Sequence, residues 1–254
     1  MAESRTGPVV EHTTGEVTVS VDGRVAQITI DRPTKKNALT QSMYERMADA
    51  LLEADSDLDV GAVLITGVAD VFTAGNDLAD FASGASLDQT HRFLDAISSV
   101  HVPLVAAVNG MAIGVGLTML LHCDLVFVEP AALLSAPFVG LGLVPEAASS
   151  LLLPRIVGER HASDLLLRGR RLSGAEAAEW GLANMAVSPV LPTARQAAEE
   201  VAAQPPLAVR ASKALLRSNE ATVEGRMALE MDAFLEALKG PEFAEVMATR
   251  ARRD

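Results

Sequence analysis

The sequence predicts an α/β core over residues 16–195 and a helical C-terminal region over residues 196–254. Two observations predict this division. Before Glu146, short apolar runs alternate with segments of helical period, which is typical of α/β domains. Beyond Glu146, strand-like runs are scarce, and segments rich in Ala and Leu take their place. The predicted C-terminal helices cover residues 192–203, 207–218 and 222–239.

The N-terminal part of the sequence predicts a tail, a β-hairpin and a capped helix. Residues 1–15 are polar and have no hydrophobic period, which indicates a flexible tail. Alternating residues then flank the turn Asp22-Gly23, which predicts a hairpin. Thr40 is a suitable N-cap for the helix that follows. The residues expected on one face of the hairpin are Val17, Val19, Val21, Val25, Gln27 and Thr29. Those at helical spacing after Thr40 are Met43, Met47, Ala50 and Leu51.

Short apolar runs predict the buried strands of the core. One of them continues through several glycines into a helix-like segment at residues 114–122. Farther along the chain, Ser173 and Glu176 have the spacing of a capping box at the start of a short helix. The predicted buried strands cover residues 62–66, 103–108 and 124–128.

Composition and charge limit the classes to which this protein can belong. The chain has 254 residues, of which 49% are hydrophobic but only 4% are aromatic, so it can build a large core from aliphatic side chains. Its formal net charge is −12, which disfavours nucleic-acid binding because that function needs a basic face. A few local Lys or Arg residues and helix N-termini can still hold an anionic ligand.

Cysteine use and hydropathy indicate a cytoplasmic protein. Cys123 is the only cysteine, so no internal disulfide can form. The first residues contain no apolar signal core. No stretch reaches the roughly 18 apolar residues that a membrane helix needs. We therefore expect a cytoplasmic location and no membrane partner.

Several common catalytic motifs are absent from the sequence. There is no Walker loop, no complete G-x-G-x-x-G, no G-x-S-x-G elbow and no H-E-x-x-H. The five histidines have no metal-ligand spacing, so we expect no metal site. His122 lies in an apolar segment, and we interpret it as a packed, hydrogen-bonded histidine rather than a ligand. Cys123 has no activating neighbour, and we interpret it as a small buried residue.

Two glycine-bearing turns are the first candidates for chemistry. One spans residues 72–78 and the other spans residues 109–116, and each follows a predicted strand. A turn that opens a helix leaves backbone N–H groups unpaired. Two such turns facing one point would form an oxyanion hole, which stabilises negative charge on a carbonyl oxygen. Taken singly, each turn is better explained as an ordinary connection between a strand and a helix.

One carboxylate, Glu146, interrupts the apolar stretch 136–150 just before a predicted helix. A general base in a dry pocket would have a raised pKa, and Glu146 is a candidate for that role. The competing interpretation is an acid near a helix N-terminus, which the helix dipole favours. The local sequence does not decide between the two.

Together these three stretches resemble the crotonase (enoyl-CoA hydratase/isomerase) superfamily, from about Gly15 to near the C-terminus. The resemblance implies a spiral core of repeated ββα units and a C-terminal helical trimerisation region, in trimers or pairs of trimers. It also implies a coenzyme A thioester as substrate, no cofactor, and a place in fatty acid metabolism such as β-oxidation. Further matching segments are 30–33, 37–39, 141–154, 172–182 and 206–213.

The resemblance also implies roles for individual residues. The oxyanion hole falls on the backbone N–H groups of Asn76 and Val115, and Glu146 falls where the isomerases of the family have their single acid. Phe138 would line the reacting centre and exclude water. Lys36 is a candidate phosphate partner, although a merely solvated lysine explains it equally well. The residues expected near coenzyme A are Lys36, Ala38, Ala74, Asp77 and Leu78.

Hydratases of this family use two glutamates to activate water. Their positions are occupied here by Thr118 and Phe138, neither of which can act as an acid or base at neutral pH. The sequence therefore predicts a Δ3,Δ2-enoyl-CoA isomerase with Glu146 as its lone base. An enoyl-CoA hydratase and a non-catalytic acyl-CoA-binding protein remain as alternatives.

Overall fold

The computed structural model describes residues 10–14, 16–82, 86–250 and 252. Its strands are β1 (Val10–Thr14), β2 (Val17–Asp22), β3 (Val25–Ile30), β4 (Ala62–Gly67), β5 (Val71–Thr73), β6 (Leu104–Val108), β7 (Met111–Ile113), β8 (Leu125–Val128), β9 (Leu133–Ser135), β10 (Leu172–Ser173) and β11 (Met185–Ala186). Its helices are α1 (Gln41–Ser56), α2 (Leu78–Ala82), α3 (Asp88–Ser99), α4 (Val115–Thr118), α5 (Ser149–Val157), α6 (Glu159–Arg168), α7 (Gly174–Glu179), α8 (Val190–Ala202), α9 (Pro206–Arg217), α10 (Val223–Lys239) and α11 (Pro241–Arg250). Short 3-10 turns lie at Pro33–Lys35, Met119–His122 and Val139–Leu141.

The larger of two sheets has seven strands in the order β1-β2-β3-β4-β6-β8-β11. The first three strands are antiparallel, and the remaining neighbours are parallel. Residues 10–14 fall within the predicted tail but form β1, because their backbone pairs with the edge of the hairpin without needing an apolar pattern. Residues 1–9 and 15 of that tail lie outside the described residues.

The smaller sheet has the order β10-β9-β7-β5. Its strands β5, β7 and β9 each follow a strand of the larger sheet, namely β4, β6 and β8. Helical segments follow each pair, so a ββα unit recurs along the chain. This arrangement confirms the predicted α/β class with ββα units.

The sequence does not predict the strands of the smaller sheet, nor does it predict α3, α6, α11 and β11. β5, β7 and β9 have three residues each, which is too short for an alternating pattern. The helix predicted at residues 114–122 is divided into α4 and a 3-10 turn that ends at His122.

Buried residues form two clusters, one on each face of the larger sheet. Val63 and Ile65 of β4 belong to the first cluster, to which α1 and α3 contribute. Ala62 and Leu64 belong to the second cluster, which α8 covers. Because neighbouring residues of a strand point to opposite faces, covering both faces explains why the central strands are continuously apolar.

The predicted hairpin forms, but the assignment of its faces was wrong. Val19 pairs with Ile28, and both belong to the first cluster. Val25 instead belongs to the second cluster, and Gln27 accepts a hydrogen bond from Arg195 of α8 at 3.1 Å. Val25 and Gln27 therefore lie on the face of the sheet that α8 covers. Both faces of β3 are covered by other parts of the chain.

Two predicted helix starts are confirmed. The Thr40 hydroxyl accepts a hydrogen bond from the Met43 amide at 3.4 Å and caps α1. Ser173 and Glu176 form a reciprocal capping box at the start of α7. Both contacts join residues three positions apart, so local sequence is enough to predict them.

Helices α8–α11 occupy the predicted helical region. The predicted boundary between residues 195 and 196 lies inside α8, which packs against β4 and β6. Lys213 anchors α9, since its Nζ donates to the Val102 carbonyl oxygen at 2.7 Å and lies 2.9 Å from an Asp124 carboxylate oxygen. α10 and α11 bury none of their residues within this chain. Among the helices of the described ranges, none is both long and apolar enough to cross a membrane.

Candidate active site

The two glycine-bearing turns lie side by side at one edge of the smaller sheet. β5 and β7 are parallel neighbours, so the turns that follow them emerge at the same edge. Gly75 has a φ of 91°, and a Cβ there would lie 2.7 Å from the carbonyl oxygen of Ile113. Gly114 in the second turn has a φ of 59°. At Gly75, only glycine combines a positive φ with so close an approach to Ile113. This close approach brings the two turns together.

Two backbone amides at these turns have no protein acceptor. Val115 is the first residue of α4, where a helix leaves its N–H groups unpaired. Asn76 forms an isolated bridge with Leu39, but the hydrogen bonds of that bridge use the Gly75 carbonyl and the Asp77 amide. In the part of the chain that the structure describes, neither the Asn76 N–H nor the Val115 N–H donates to the protein. Both amides are therefore available to a ligand.

Buried polar side chains hold the Asn76 turn in place. Tyr44 of α1 is fully buried, and its hydroxyl donates to Oδ1 of Asn76. Asn37 is also fully buried; its Nδ2 donates to the Val71 carbonyl oxygen at 2.7 Å, and its Oδ1 accepts from the Arg32 amide at 2.9 Å. The sequence assigns no such role to Tyr44 or Asn37. Both residues lie in segments that mix polar and apolar residues, so the local sequence carries no signal for these contacts.

Glu146 lies in the loop between the 3-10 turn at Val139–Leu141 and α5. The Thr118 hydroxyl of α4 donates to its Oε1. Its Oε2 is buried and has no hydrogen-bond partner among the residues that the structure describes. Burial raises the pKa of the Glu146 carboxyl, and the hydrogen bond from Thr118 partly opposes the rise. One carboxyl oxygen is thus held by Thr118, and the other makes no hydrogen bond to the described residues.

Helix α4 brings Glu146 close to the free amides. Val115 begins α4 and Thr118 ends it, so the two lie about 4.5 Å apart along the helix axis. Tyr44, which holds Asn76, has a pKa raised well above its ordinary value, first by burial and then by the negative charge of Glu146. The carboxyl therefore lies near both turns. The structure brings together the acid and the two amides that the sequence singled out.

The five residues predicted to contact coenzyme A cluster around the first glycine turn. They are Lys36, Ala38, Ala74, Asp77 and Leu78. The Ala74 amide donates to the Lys36 carbonyl oxygen at 3.0 Å, and the Lys36 side chain is exposed. Arg32 donates to the Ala38 carbonyl oxygen at 3.0 Å and to the Asp77 carboxylate at 2.6 Å. The hydrogen bond from Arg32 is the main cause that lowers the pKa of Asp77.

The two positions that hold glutamates in hydratases are both buried. Thr118 is fully buried beside Glu146, and Phe138 is 7% exposed at the start of the 3-10 turn before it. Neither residue supplies a carboxylate. Glu146 therefore has the Thr118 alcohol as its hydrogen-bonding neighbour.

Two further sequence interpretations concern residues next to α4. His122 is buried, and its Nε2 donates to the Ala147 carbonyl oxygen at 2.9 Å, which confirms a packed, hydrogen-bonded histidine. Cys123 is half-buried rather than buried. Desolvation of its thiol, together with the negative charge of Asp124, raises its pKa to about 12, so the thiol stays protonated at neutral pH. No group of three or more His, Cys, Asp or Glu side chains suited to a metal ion occurs among the described residues.

A partly buried carboxylate beside two free backbone amides is an arrangement suited to removing a proton next to a carbonyl group. Residues 20–247 match the enoyl-CoA hydratase/isomerase family, and the chain belongs to this family. The family membership and the fold define an enzyme that acts on acyl-CoA thioesters.

Similar proteins include both activities in their names. The chain is 35% identical over 250 residues to "Probable enoyl-CoA hydratase echA14" of Mycobacterium tuberculosis, covering 93% of this chain and 98% of that protein. It is 36% identical over 219 residues to "Enoyl-CoA delta isomerase 2" of Rattus norvegicus, covering 80% of this chain and 55% of that protein. A crystal structure of enoyl-CoA hydratase/isomerase from Pseudoalteromonas atlantica T6c has a TM-score of 0.78 and 45% identity, covering 94% and 97% of the two chains.

Proposed function

We propose that this protein is a Δ3,Δ2-enoyl-CoA isomerase, which moves a double bond of an acyl thioester into conjugation with its carbonyl group. The observation that carries the proposal is the state of Glu146. Its Oε1 is held by Thr118, whereas its Oε2 is buried and has no partner within the described part of the chain. A carboxyl held in this way can take a proton from one carbon and return it to another on the same face of a substrate.

The proposed mechanism uses the free amides and the single carboxylate. The thioester carbonyl oxygen binds between the N–H groups of Asn76 and Val115. Glu146 removes a proton from C2 of a 3-enoyl-CoA, and the electron pair moves onto the carbonyl oxygen of a dienolate. The two amides stabilise that charge; one such donor contributes about 3 kcal/mol in comparable sites. Protonated Glu146 then delivers the proton to C4, which gives the 2-trans-enoyl-CoA and restores the carboxylate without a cofactor.

The surroundings of Glu146 support proton return rather than water addition. Burial raises the pKa of its carboxyl, which moves the base toward the pH at which it works. Phe138 is buried and apolar at a position where a second acid would hold water. Excluding water from the site favours return of the proton to the dienolate.

Hydration of a 2-enoyl-CoA is the second candidate, because several similar proteins have the word hydratase in their names. Water addition needs a group that activates water, and the two positions in question hold Thr118 and Phe138. We expect turnover of crotonyl-CoA to be at least about 10²-fold slower than isomerisation. Comparable rates in the two assays would favour the hydratase.

The proposal also locates the coenzyme A moiety at the first glycine turn. The exposed Lys36 can pair with a phosphate, and Arg32 offsets the negative charge of Asp77 there. An anionic nucleotide therefore does not meet an uncompensated carboxylate. Lys36→Gln is expected to raise the KM for acyl-CoA without changing kcat.

We further propose that α9–α11 form the contact between copies of this chain, as a trimer or a pair of trimers. Leu216, Met227 and Phe234 are 84%, 63% and 61% exposed in the single chain. Clustered large apolar side chains on a surface mark interaction sites. Light scattering after gel filtration should give the mass of three or six chains, and a monomer would contradict this assembly.

An isomerase assay on 3-enoyl-CoAs of several chain lengths tests the proposed function. The ultraviolet absorbance of the conjugated product follows the reaction. Glu146→Gln keeps the size of the side chain and an acceptor for Thr118 but removes the base. We expect kcat to fall by about 10²- to 10⁴-fold.

The matched control is Glu159→Gln, which changes an exposed glutamate in the first turn of α6 and should retain full activity. Full isomerase activity of Glu146→Gln would refute the assignment. Saturable binding of acyl-CoA by the wild type, with no proton exchange at C2 in deuterated water, would instead favour a non-catalytic binding protein.

A further inference from the structure

The loop that carries Glu146 has an uncommon backbone. Ala147 and Ala148, directly after the acid, have φ angles of 52° and 54°. Residues with a Cβ rarely adopt this left-handed region, and here two consecutive residues do so. Such a conformation persists only when surrounding contacts hold it. The contacts on this loop therefore decide where the Glu146 carboxyl lies.

Three carbonyl groups of the loop accept hydrogen bonds. The Glu146 carbonyl oxygen accepts from the amide and the hydroxyl of Ser149, at 2.9 and 2.6 Å. The Ala148 carbonyl oxygen accepts from amides of α5. Both of these contacts are local. The Ala147 carbonyl oxygen instead accepts from Nε2 of His122 at 2.9 Å, a residue 25 positions earlier in the chain.

His122 belongs to the segment that carries the rest of the site. It is the last residue of the 3-10 turn that follows α4, and α4 contributes Val115 and Thr118. The His122 side chain is buried, and its own carbonyl oxygen accepts a hydrogen bond from Arg217 of α9. The imidazole thus connects a fixed part of the site to the loop that carries the acid.

The contact requires a hydrogen on Nε2 of the ring. A carbonyl oxygen only accepts hydrogen bonds, so Nε2 of His122 must carry a hydrogen. Burial is the main cause that lowers the pKa of His122, and the positive charges of Arg217 and Lys213 act in the same direction, against the bond to Ala147. The ring is therefore neutral at neutral pH, and it acts on the loop through geometry rather than charge.

We propose that His122 is a positioning residue for the catalytic base. By holding the Ala147 carbonyl group, it fixes the Ala147–Ala148 peptide of the loop and so directs Oε2 of Glu146 toward the reacting carbons. His122 touches neither the substrate nor a reacting atom. The inference rests on the proposed function in so far as Glu146 is the base.

Three substitutions at His122 separate this role from simple packing. The amide nitrogen of His122→Gln can reach the place of Nε2, whereas that of His122→Asn reaches only the place of Nδ1. His122→Leu keeps buried apolar volume and has no donor. We expect His122→Gln to stay within a few-fold of wild type. In the other two variants we expect kcat to fall by about 10²-fold, because a base displaced by about 1 Å loses that much, while KM stays unchanged.

Two rates are measured for each variant, below its melting temperature. One is isomerisation of a 3-enoyl-CoA, and the other is exchange of the C2 protons of a saturated acyl-CoA in deuterated water. Exchange needs Glu146 as the base but no movement of a double bond. If wild type exchanges but does not isomerise, the proposed isomerase fails, and the exchange rates still decide the role of His122.

Other outcomes overturn the positioning role. Unchanged kcat and exchange in His122→Asn and His122→Leu would show that the ring only packs. The same conclusion follows if all three variants lose activity equally, since the position of the donor would then not matter. If wild type neither isomerises nor exchanges, the inference fails together with the proposed function.

Discussion

The hydroxyl of Thr118 is expected to control the protonation of Glu146. Thr118 is fully buried, and its hydrogen bond to Oε1 lowers the pKa of Glu146 against the rise that burial causes. Thr118→Val replaces that hydroxyl with a methyl group of similar size. A hydrogen bond to a charged group contributes about 1.5 to 3 kcal/mol. Loss of this hydrogen bond should raise the ratio of protonated to ionised Glu146 at a given pH by roughly one to two orders of magnitude.

The assay is the pH dependence of kcat/KM in isomerisation. A protonated Glu146 cannot act as the base, so the acidic limb of the profile should move to higher pH in Thr118→Val. Activity well above that limb should remain, because the carboxylate itself is intact. Thr118→Ser keeps the hydroxyl and should keep the wild-type limb. A limb that stays in place or moves to lower pH in Thr118→Val would refute the reasoning.

Two further predictions concern stability. The folded-state pKa of Glu146 lies above its unfolded value, so its contribution is fully present below the unfolded pKa and is lost as pH rises through the folded pKa. Glu146→Gln should therefore be more stable than wild type at neutral pH, by about 1 to 3 kcal/mol in urea unfolding, and the difference should vanish in acid. Lys213→Met leaves the Val102 carbonyl without its donor and removes a cation from Asp124, so it should lower the free energy of unfolding by about 1 to 3 kcal/mol.

Exposed residues provide the controls for both stability predictions. Glu159→Gln should show no pH-dependent gain in stability. The free energy of unfolding of Lys239→Met, at the exposed end of α10, should stay within about 0.5 kcal/mol of wild type. A gain in Glu146→Gln that persists in acid would show that its cause is not ionisation. Equal effects of the two lysine substitutions would show that the contacts of Lys213 with Val102 and Asp124 do not stabilise the fold.

Features that depend on neighbouring residues were predictable from the sequence. The Thr40 cap and the capping box of Ser173 and Glu176 join residues three apart, and the Asp22-Gly23 turn joins adjacent strands. Helical spacing predicted α1, and segments rich in Ala and Leu predicted α8, α9 and α10, whereas α3 was not predicted. The faces of β3 were not predictable, because α8 covers its second face from a distant part of the chain.

The candidate site likewise contains some features that the sequence predicts and some contacts that it does not. The glycine turns and the isolated acid Glu146 are visible in the sequence, but Tyr44, Asn37 and His122 have no local sequence signal for their contacts. Tyr44 meets Asn76 across 32 positions of the chain, and His122 meets Ala147 across 25. These contacts depend on how helices and loops pack against the two sheets.

The sequence by itself determined the α/β class, the helix caps, the two glycine turns and the presence of one carboxylate, Glu146, in an apolar stretch, since each follows from residue type and short-range spacing. Only the tertiary structure decided that both turns emerge at one sheet edge and that Thr118 holds one oxygen of Glu146 while the other stays free. The physical reason is that the hydrogen bonding of a carboxyl oxygen depends on every residue that surrounds it. Those neighbours come from α4 and from a loop 28 residues farther along, which meet only after the sheets have formed.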